Sequence, residues 1–342
     1  MKKFLLFTAL TGVILAFIAL ATAYYKLVNF ESLKLSNTQA VSLEVEDGSN
    51  LYRVKKQLSK YSEIDSLGFK LWLKLNPEYS SIQAGLYELP PQSLVVDLIK
   101  MVNAGEVKQF SITLVEGQTF AQWISQLKSS ENLNNDLGTV ADLYELLTNN
   151  QGFCANEYRS LEGCLLPNTY HYTYKQNMSS IIQRAYSSME ALLESAWHKR
   201  FVDVPLKNQY EVLILASIVE KETAVDAERA EIAGVFTNRL NANMRLQTDP
   251  TVIYGIGDSY DGNITRKHLR QATPYNTYVI KGLPITPIAM ASELSINATL
   301  QPSLTDAFYF VASGEGGHVF STNLEEHNRA VRAYLKKLKE EK

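Results

Sequence analysis

An α+β fold is predicted by three features of this 342-residue sequence. They are a long uncharged segment near the amino end, a strand-turn-helix unit that occurs twice, and the absence of an alternating βαβ series. Together they divide the chain into a short amino end at 1–3, a single transmembrane helix at 4–25, a polar linker at 26–40, a small α+β module at 41–106 and a larger α+β domain at 107–342.

Lys2 and Lys3 precede Phe4 to Tyr25, which holds no charged residue. About 22 residues of helix rise roughly 33 Å, enough to cross the hydrocarbon core of a bilayer. The positive charge favours a cytoplasmic amino end and places everything after Lys26 on the far side. A cleaved signal peptide ending at Ala21-Thr22-Ala23 is the rival reading, but its apolar region is usually shorter. Both readings export the chain.

Val41, Leu43 and Val45 alternate with other residues, Asp47-Gly48 turns the chain, and Leu51, Val54 and Leu58 follow at helical spacing. The grammar returns with Ile112 and Leu114, the turn Glu116-Gly117, and Phe120, Trp123 and Leu127; Phe120 stands 69 positions after Leu51. Between the copies lie Gly85-Leu86-Tyr87, the Pro90-Pro91 break, a Ser93 cap and a helix carrying Leu94, Leu98 and Val102 that stops near Gly105. Further along, Ala141 to Leu147 and Ile181 to Ser195 predict helices, Ala307 to Ala312 a buried strand, and Tyr334 to Lys342 a charged, solvated end.

Lys and Arg total 33 against 36 Asp and Glu, a net charge of −3 that offers no general attraction to nucleic acid. The 19 tyrosines suit surfaces that stack on sugar rings, though most tyrosines simply pack. Cys154 and Cys164 are the only cysteines and form no zinc framework. In an oxidising compartment they can close a short disulfide; otherwise they remain two thiols. There is no HExxH, no GxSxG elbow and no P-loop, so neither a metal nor a cofactor is expected. His318 and His327 read as packing or hydrogen-bonding residues.

The strongest local anomaly is Glu220, which follows the apolar and small run Val212 to Val219. A helix apolar all round is a buried helix. Glu220 shares a face with Leu213, Ala216 and Ser217, so its carboxyl is expected at the end of a core helix beside small side chains. A carboxyl kept protonated near neutral pH is a general acid, and glycoside cleavage requires one. The competing expectation is that Glu220 opens the polar tail Glu220-Lys221-Glu222-Thr223 and pairs with a basic neighbour. Glu222 lies about 200° further round the helix, so the two cannot share one cleft. Two-carboxylate glycosidases need an opposed pair that this helix does not supply, and Asp249 is a distant candidate partner or a turn residue before Pro250.

Blocks in one order carry a resemblance: Glu162-Gly163 with Pro167-Asn168-Thr169-Tyr170, Leu215 to Thr223, Val235-Phe236-Thr237-Asn238-Arg239-Leu240, Leu246-Gln247-Thr248-Asp249-Pro250, Asn276-Thr277-Tyr278, Gly282-Leu283-Pro284, Gly317-His318-Val319-Phe320 and Glu326-His327-Asn328. They resemble the endolytic murein transglycosylases, the MltG or YceG-like family, over almost the whole chain. The resemblance implies a LysM-like module at 41–106 and internal cleavage of nascent peptidoglycan glycan strands between N-acetylmuramic acid and N-acetylglucosamine, leaving 1,6-anhydro ends. It implies Glu220 as the single acid/base, Gln247, Asp249, Asn276 and Tyr278 as substrate-binding residues, and peptidoglycan synthases at the plasma (inner) membrane as partners. A water-using muramidase with Glu220 as acid and Asp249 as base, and a non-catalytic peptidoglycan-binding scaffold, are the alternatives. The segment Ile285 to Ser292, Cys164 and Asn168 depart from the family's usual pattern, which bears on strand preference and rate.

Overall fold

The computed structural model describes residues 2–340. It is an α+β structure with two compact units, one running to Phe110 and including His171–Lys175, the other formed by Ser111–Tyr170 and the chain from Gln176 onward. The division falls within two paired strands, so neither unit is one unbroken stretch of sequence.

The first unit begins with helix α1, Lys2–Glu31. Within its Phe4–Glu31 portion the most apolar 18-residue window has mean hydropathy 2.6 and no buried residue, the length and composition of a membrane span. The helix does not stop at Tyr25. Its last turns enter the core of the following module, where Phe30 is 2% exposed and packs edge-on against Phe69. Leu35 is equally buried, and Leu33 and Leu35 exchange backbone hydrogen bonds with Val95 and Ser93. The segment expected to be a linker is therefore part of the module, because it brings apolar side chains the small core uses.

The module continues as β1 (Val41–Val45), α2 (Leu51–Leu58), α3 (Ser66–Leu75), β2 (Gly85–Leu89) and α4 (Val95–Ala104). β1 and β2 pair antiparallel, Leu43 opposite Tyr87, with Leu43, Val45, Tyr87 and Leu89 turned inward. Leu51, Val54 and Leu58 are buried, as their spacing predicts. The cap of α4 differs from expectation: Leu94 is the N-cap and the Ser93 hydroxyl donates instead to the Pro90 carbonyl, while Gly105 closes the helix in the left-handed region.

The second unit opens with β3 (Gln109–Leu114) and α5 (Phe120–Lys128), the second copy of the repeated unit. Phe120, Trp123 and Leu127 occupy buried positions equivalent to Leu51, Val54 and Leu58, and both turn glycines, Gly48 and Gly117, have φ near +73°. The strands differ in partner, β3 pairing with β5 rather than with its neighbour in sequence. There follow β4 (Leu133–Asn134), α6 (Val140–Thr148), β5 (Asn168–Thr173), β6 (Gln176–Asn177) and α7 (Met178–Trp197). Cys154 and Cys164 form a disulfide that closes the loop between α6 and β5.

The remaining elements are α8 (Gln209–Glu222), α9 (Asp226–Asn241), α10 (Asp249–Ile256), α11 (Arg266–Arg270), α12 (Glu293–Leu300), the antiparallel hairpin β7 (Tyr309–Ala312) and β8 (His318–Ser321), and α13 (Leu324–Glu340). α8 is the central helix, enclosed by α9, α10 and α12. The expected solvated end is helical to Glu340, with residues 341–342 outside the described residues.

Candidate active site

Asn208 caps α8 by accepting from the Glu211 amide at 2.9 Å. Every residue from Val212 to Val219 is buried, so the helix is fixed from all sides and its last turn presents Glu220 and Glu222 in defined directions.

Glu220 faces the junction of α8, α9 and α12. Its side chain is 4% exposed. One carboxyl oxygen accepts from Arg229 Nη1 at 3.0 Å, the other from the Ser292 amide at 2.9 Å and the Ser292 hydroxyl at 2.5 Å. Arg229, itself buried, also donates to Ser295 Oγ at 2.8 Å and to Asp226 at 3.1 Å. Both oxygens of Glu220 are thus already engaged. The competing expectation of an ion pair describes its setting, with the cation drawn from the next helix rather than from Lys221, whose ammonium donates to the Gly117 carbonyl.

Glu222 points elsewhere, as the helical geometry requires. It accepts a hydrogen bond from the Thr248 hydroxyl and makes no ion pair among the described residues. Burial pushes its carboxyl above the usual range and the negative charge of Asp249 adds to the effect, against the Thr248 hydrogen bond and the charges of His318 and Arg239. The direction of that shift favours the proton-bearing form of a carboxyl that makes no ion pair among the described residues.

The wall around Glu222 is built by the loop before α10. Arg239, buried on α9, donates to the carbonyls of Arg245 and Leu246 at 3.3 and 2.8 Å and to that of Phe308 at 2.6 Å. This folds the chain so that Gln247 takes φ +50° and its amide donates to the Thr277 carbonyl at 3.2 Å. The Thr248 amide donates to Thr277 Oγ1 at 3.0 Å, and Thr251 and Thr277 share a buried hydroxyl contact at 2.8 Å. Asp249 then starts α10, with Pro250 in the first turn.

Of the residues expected to line the cleft, Asp249 and Tyr278 meet: the Tyr278 hydroxyl donates to Asp249 Oδ1 at 2.6 Å. Burial, then the Asp249 hydrogen bond, raises the Tyr278 hydroxyl well above its ordinary range. Gln247 is an exposed neighbour of Thr248. Asn276 is 1% exposed and fully occupied, its amide donating to the His268 and Gln271 carbonyls and its oxygen accepting from the Tyr278 amide. These bonds tie Asn276 to the backbone that carries Tyr278.

Sequence reasoning passed over Thr248 and Arg239, whose positions depend on contacts between distant segments. His318 is indeed hydrogen-bonded: Glu228 receives its amide at 2.8 Å and its Nδ1 at 2.7 Å. Gly317 makes room, since a Cβ there would stand 2.5 Å from Glu228 Oε1.

The model of the YceG-like family matches residues 43–333. A curated endolytic murein transglycosylase of Bacillus subtilis is 31% identical over 324 residues, covering 89% of this chain and 88% of the relative. One from Streptococcus pneumoniae is 28% identical over 367 residues, covering 94% of this chain and 64% of its own length. A crystal structure of a yceG-like protein from Listeria monocytogenes superposes with a TM-score of 0.54 at 28% identity, covering 86% of this chain and 99% of that one.

Proposed function

The chain belongs to the YceG-like family, and from that premise we propose that it is an endolytic murein transglycosylase with Glu222 as its acid/base. It cleaves nascent glycan strands internally, between N-acetylmuramic acid and N-acetylglucosamine, and leaves 1,6-anhydro ends. The curated relatives are named as enzymes of this activity, which supports it over a non-catalytic scaffold.

The observation that carries the chemistry is the half-buried, desolvated carboxyl of Glu222, which makes no ion pair among the described residues and stands beside Thr248 and Asp249. In the reaction, protonated Glu222 gives its proton to the glycosidic oxygen as the bond from muramic C1 breaks. The muramic 6-hydroxyl oxygen bonds to C1, and its proton returns to the Glu222 carboxylate. Atoms balance without water, and the residue ends as it began. Thr248 donates to one carboxyl oxygen, which leaves the other for the proton. Tyr278 and Asp249, joined by a hydrogen bond, form the adjoining polar wall. Glu220, expected from the resemblance to be the acid, is assigned instead to holding α8 against α9 and α12.

The amino end lies in the cytoplasm and the chain beyond Lys26 outside the plasma membrane, with residues 41–106 as a glycan-binding, LysM-like module and 107–342 as the larger catalytic domain. Lys2 and Lys3 before the apolar helix support the orientation, and the Cys154–Cys164 disulfide supports an oxidising compartment. Synthases that extend the strands are the partners this reaction calls for.

Mass spectrometry of glycan digested by the full chain tests the proposal. Anhydro ends are expected, and reducing ends, heavier by one water, mark a muramidase. Glu222→Gln abolishes cleavage while glycan binding persists. Full cleavage by Glu222→Gln together with none by a folded Glu220→Gln would return the role to Glu220.

A further inference from the structure

We infer that the face formed by α2 and the first turn of α3 docks on the anionic headgroups of the bilayer that α1 enters. The inference rests on the reading of α1 as a membrane span.

Residues 50–76 carry six basic side chains against Glu63 and Asp65, in a chain whose net charge is −3; Arg53 is paired with Glu46 at 3.1 Å, and Lys55, Lys56, Lys60, Lys70 and Lys74 make no ion pair among the described residues. This local excess of positive charge lies beside the point where the apolar segment ends. Lys26 pairs with Asp65, the N-cap of α3, at 3.2 Å. Gly68 lies so close to α1 that a Cβ would stand 2.6 Å from the Lys26 carbonyl oxygen and 3.0 Å from Phe30 Cβ. The first turn of α3 is therefore fixed to the turn of α1 that follows Tyr24 and Tyr25, both exposed and suited to the interface. Next to Gly68, Leu67 is 47% exposed, and Tyr52 is 53% exposed with its ring against Phe69 at 5.5 Å. Lys55 donates to Ser66 Oγ at 2.6 Å and lies over the Phe69 ring; Lys56 and Lys70 are exposed. Apolar and aromatic groups interleaved with cations match a surface of acyl chains beneath anionic headgroups. Continuity with the span selects the bilayer as the occupant.

The test uses the full chain in vesicles, with a bimane label at Leu67→Cys or, separately, Leu10→Cys, and lipid-borne nitroxide quenchers. Both native cysteines are in the disulfide, so labelling is selective. A label at 10 quenched by deep nitroxides supports the span; without that, both readings fall. The label at 67 is expected to be quenched by headgroup-level nitroxides about twofold or more strongly in vesicles with about one third phosphatidylglycerol than in phosphatidylcholine alone. Lys56→Glu with Lys70→Glu removes the difference while the melting temperature holds. Quenching at 10 but none at 67, equal quenching in both lipids, or reversal that weakens binding to isolated peptidoglycan and leaves quenching unchanged would overturn the inference.

Discussion

Glu162 is 5% exposed, receiving the Phe120 amide at 2.9 Å and the Tyr254 hydroxyl at 3.1 Å. Burial raises its carboxyl from 4.5 to about 7. A group whose folded value is raised stabilises the fold fully below its unfolded value and loses that contribution as pH rises through the folded one. Stability is therefore expected to fall between pH 4.5 and about 7, by on the order of 3 kcal/mol from this residue. Glu162→Gln should flatten that slope in denaturation measured across the range. The two glutamates of α8 make a complementary pair of predictions. Glu220→Gln weakens a buried ion pair and leaves Arg229 under-compensated, at a cost of roughly 3 kcal/mol or more in urea denaturation. Glu222→Gln removes a desolvated carboxyl that makes no ion pair among the described residues, so it should leave stability nearly unchanged. Helical spacing showed that the two residues diverge. It could not show which one meets a cation, because Arg229 and Thr248 arrive from other segments.

Among the elements, α1 has the largest consequence. Its last turns and the strand-like residues after it deliver Phe30 and Leu35 to the module core, each 2% exposed. A fragment beginning at Ser36 lacks both, whereas one beginning at Lys26 keeps them. The shorter fragment is expected to lose on the order of 5 kcal/mol of module stability. Hydrogen exchange at the β1 and β2 amides reads this directly, and equal protection in the two fragments would refute it. The apolar pattern of Phe4 to Tyr25 was legible because a membrane span is uniform. The continuation was not, since a single Phe and a single Leu in a polar stretch show no period. The repeated strand-turn-helix was legible for the opposite reason: its two copies share inward positions and left-handed turn glycines.

For the molecule as a whole, the amino-terminal segment predicted export, and Cys154 and Cys164 form a disulfide. Protein taken from cells should resist thiol alkylation after unfolding unless first reduced. Reduction should lower the stability of the second unit by about 2–3 kcal/mol, the contribution of closing a short loop. Alkylation without reductant would argue against the compartment. By itself the sequence determined the α+β class, the apolar anchor, the repeated unit and the buried central helix, since each is a local period or an uninterrupted run whose hydrophobic free energy adds along neighbouring residues. Only the tertiary structure decided which carboxyl is paired with a cation, that Asn276 is buried with its amide and oxygen hydrogen-bonded, and that the expected linker is core. Those outcomes depend on charges and hydroxyls brought together from distant segments, and electrostatic free energy follows distance in space.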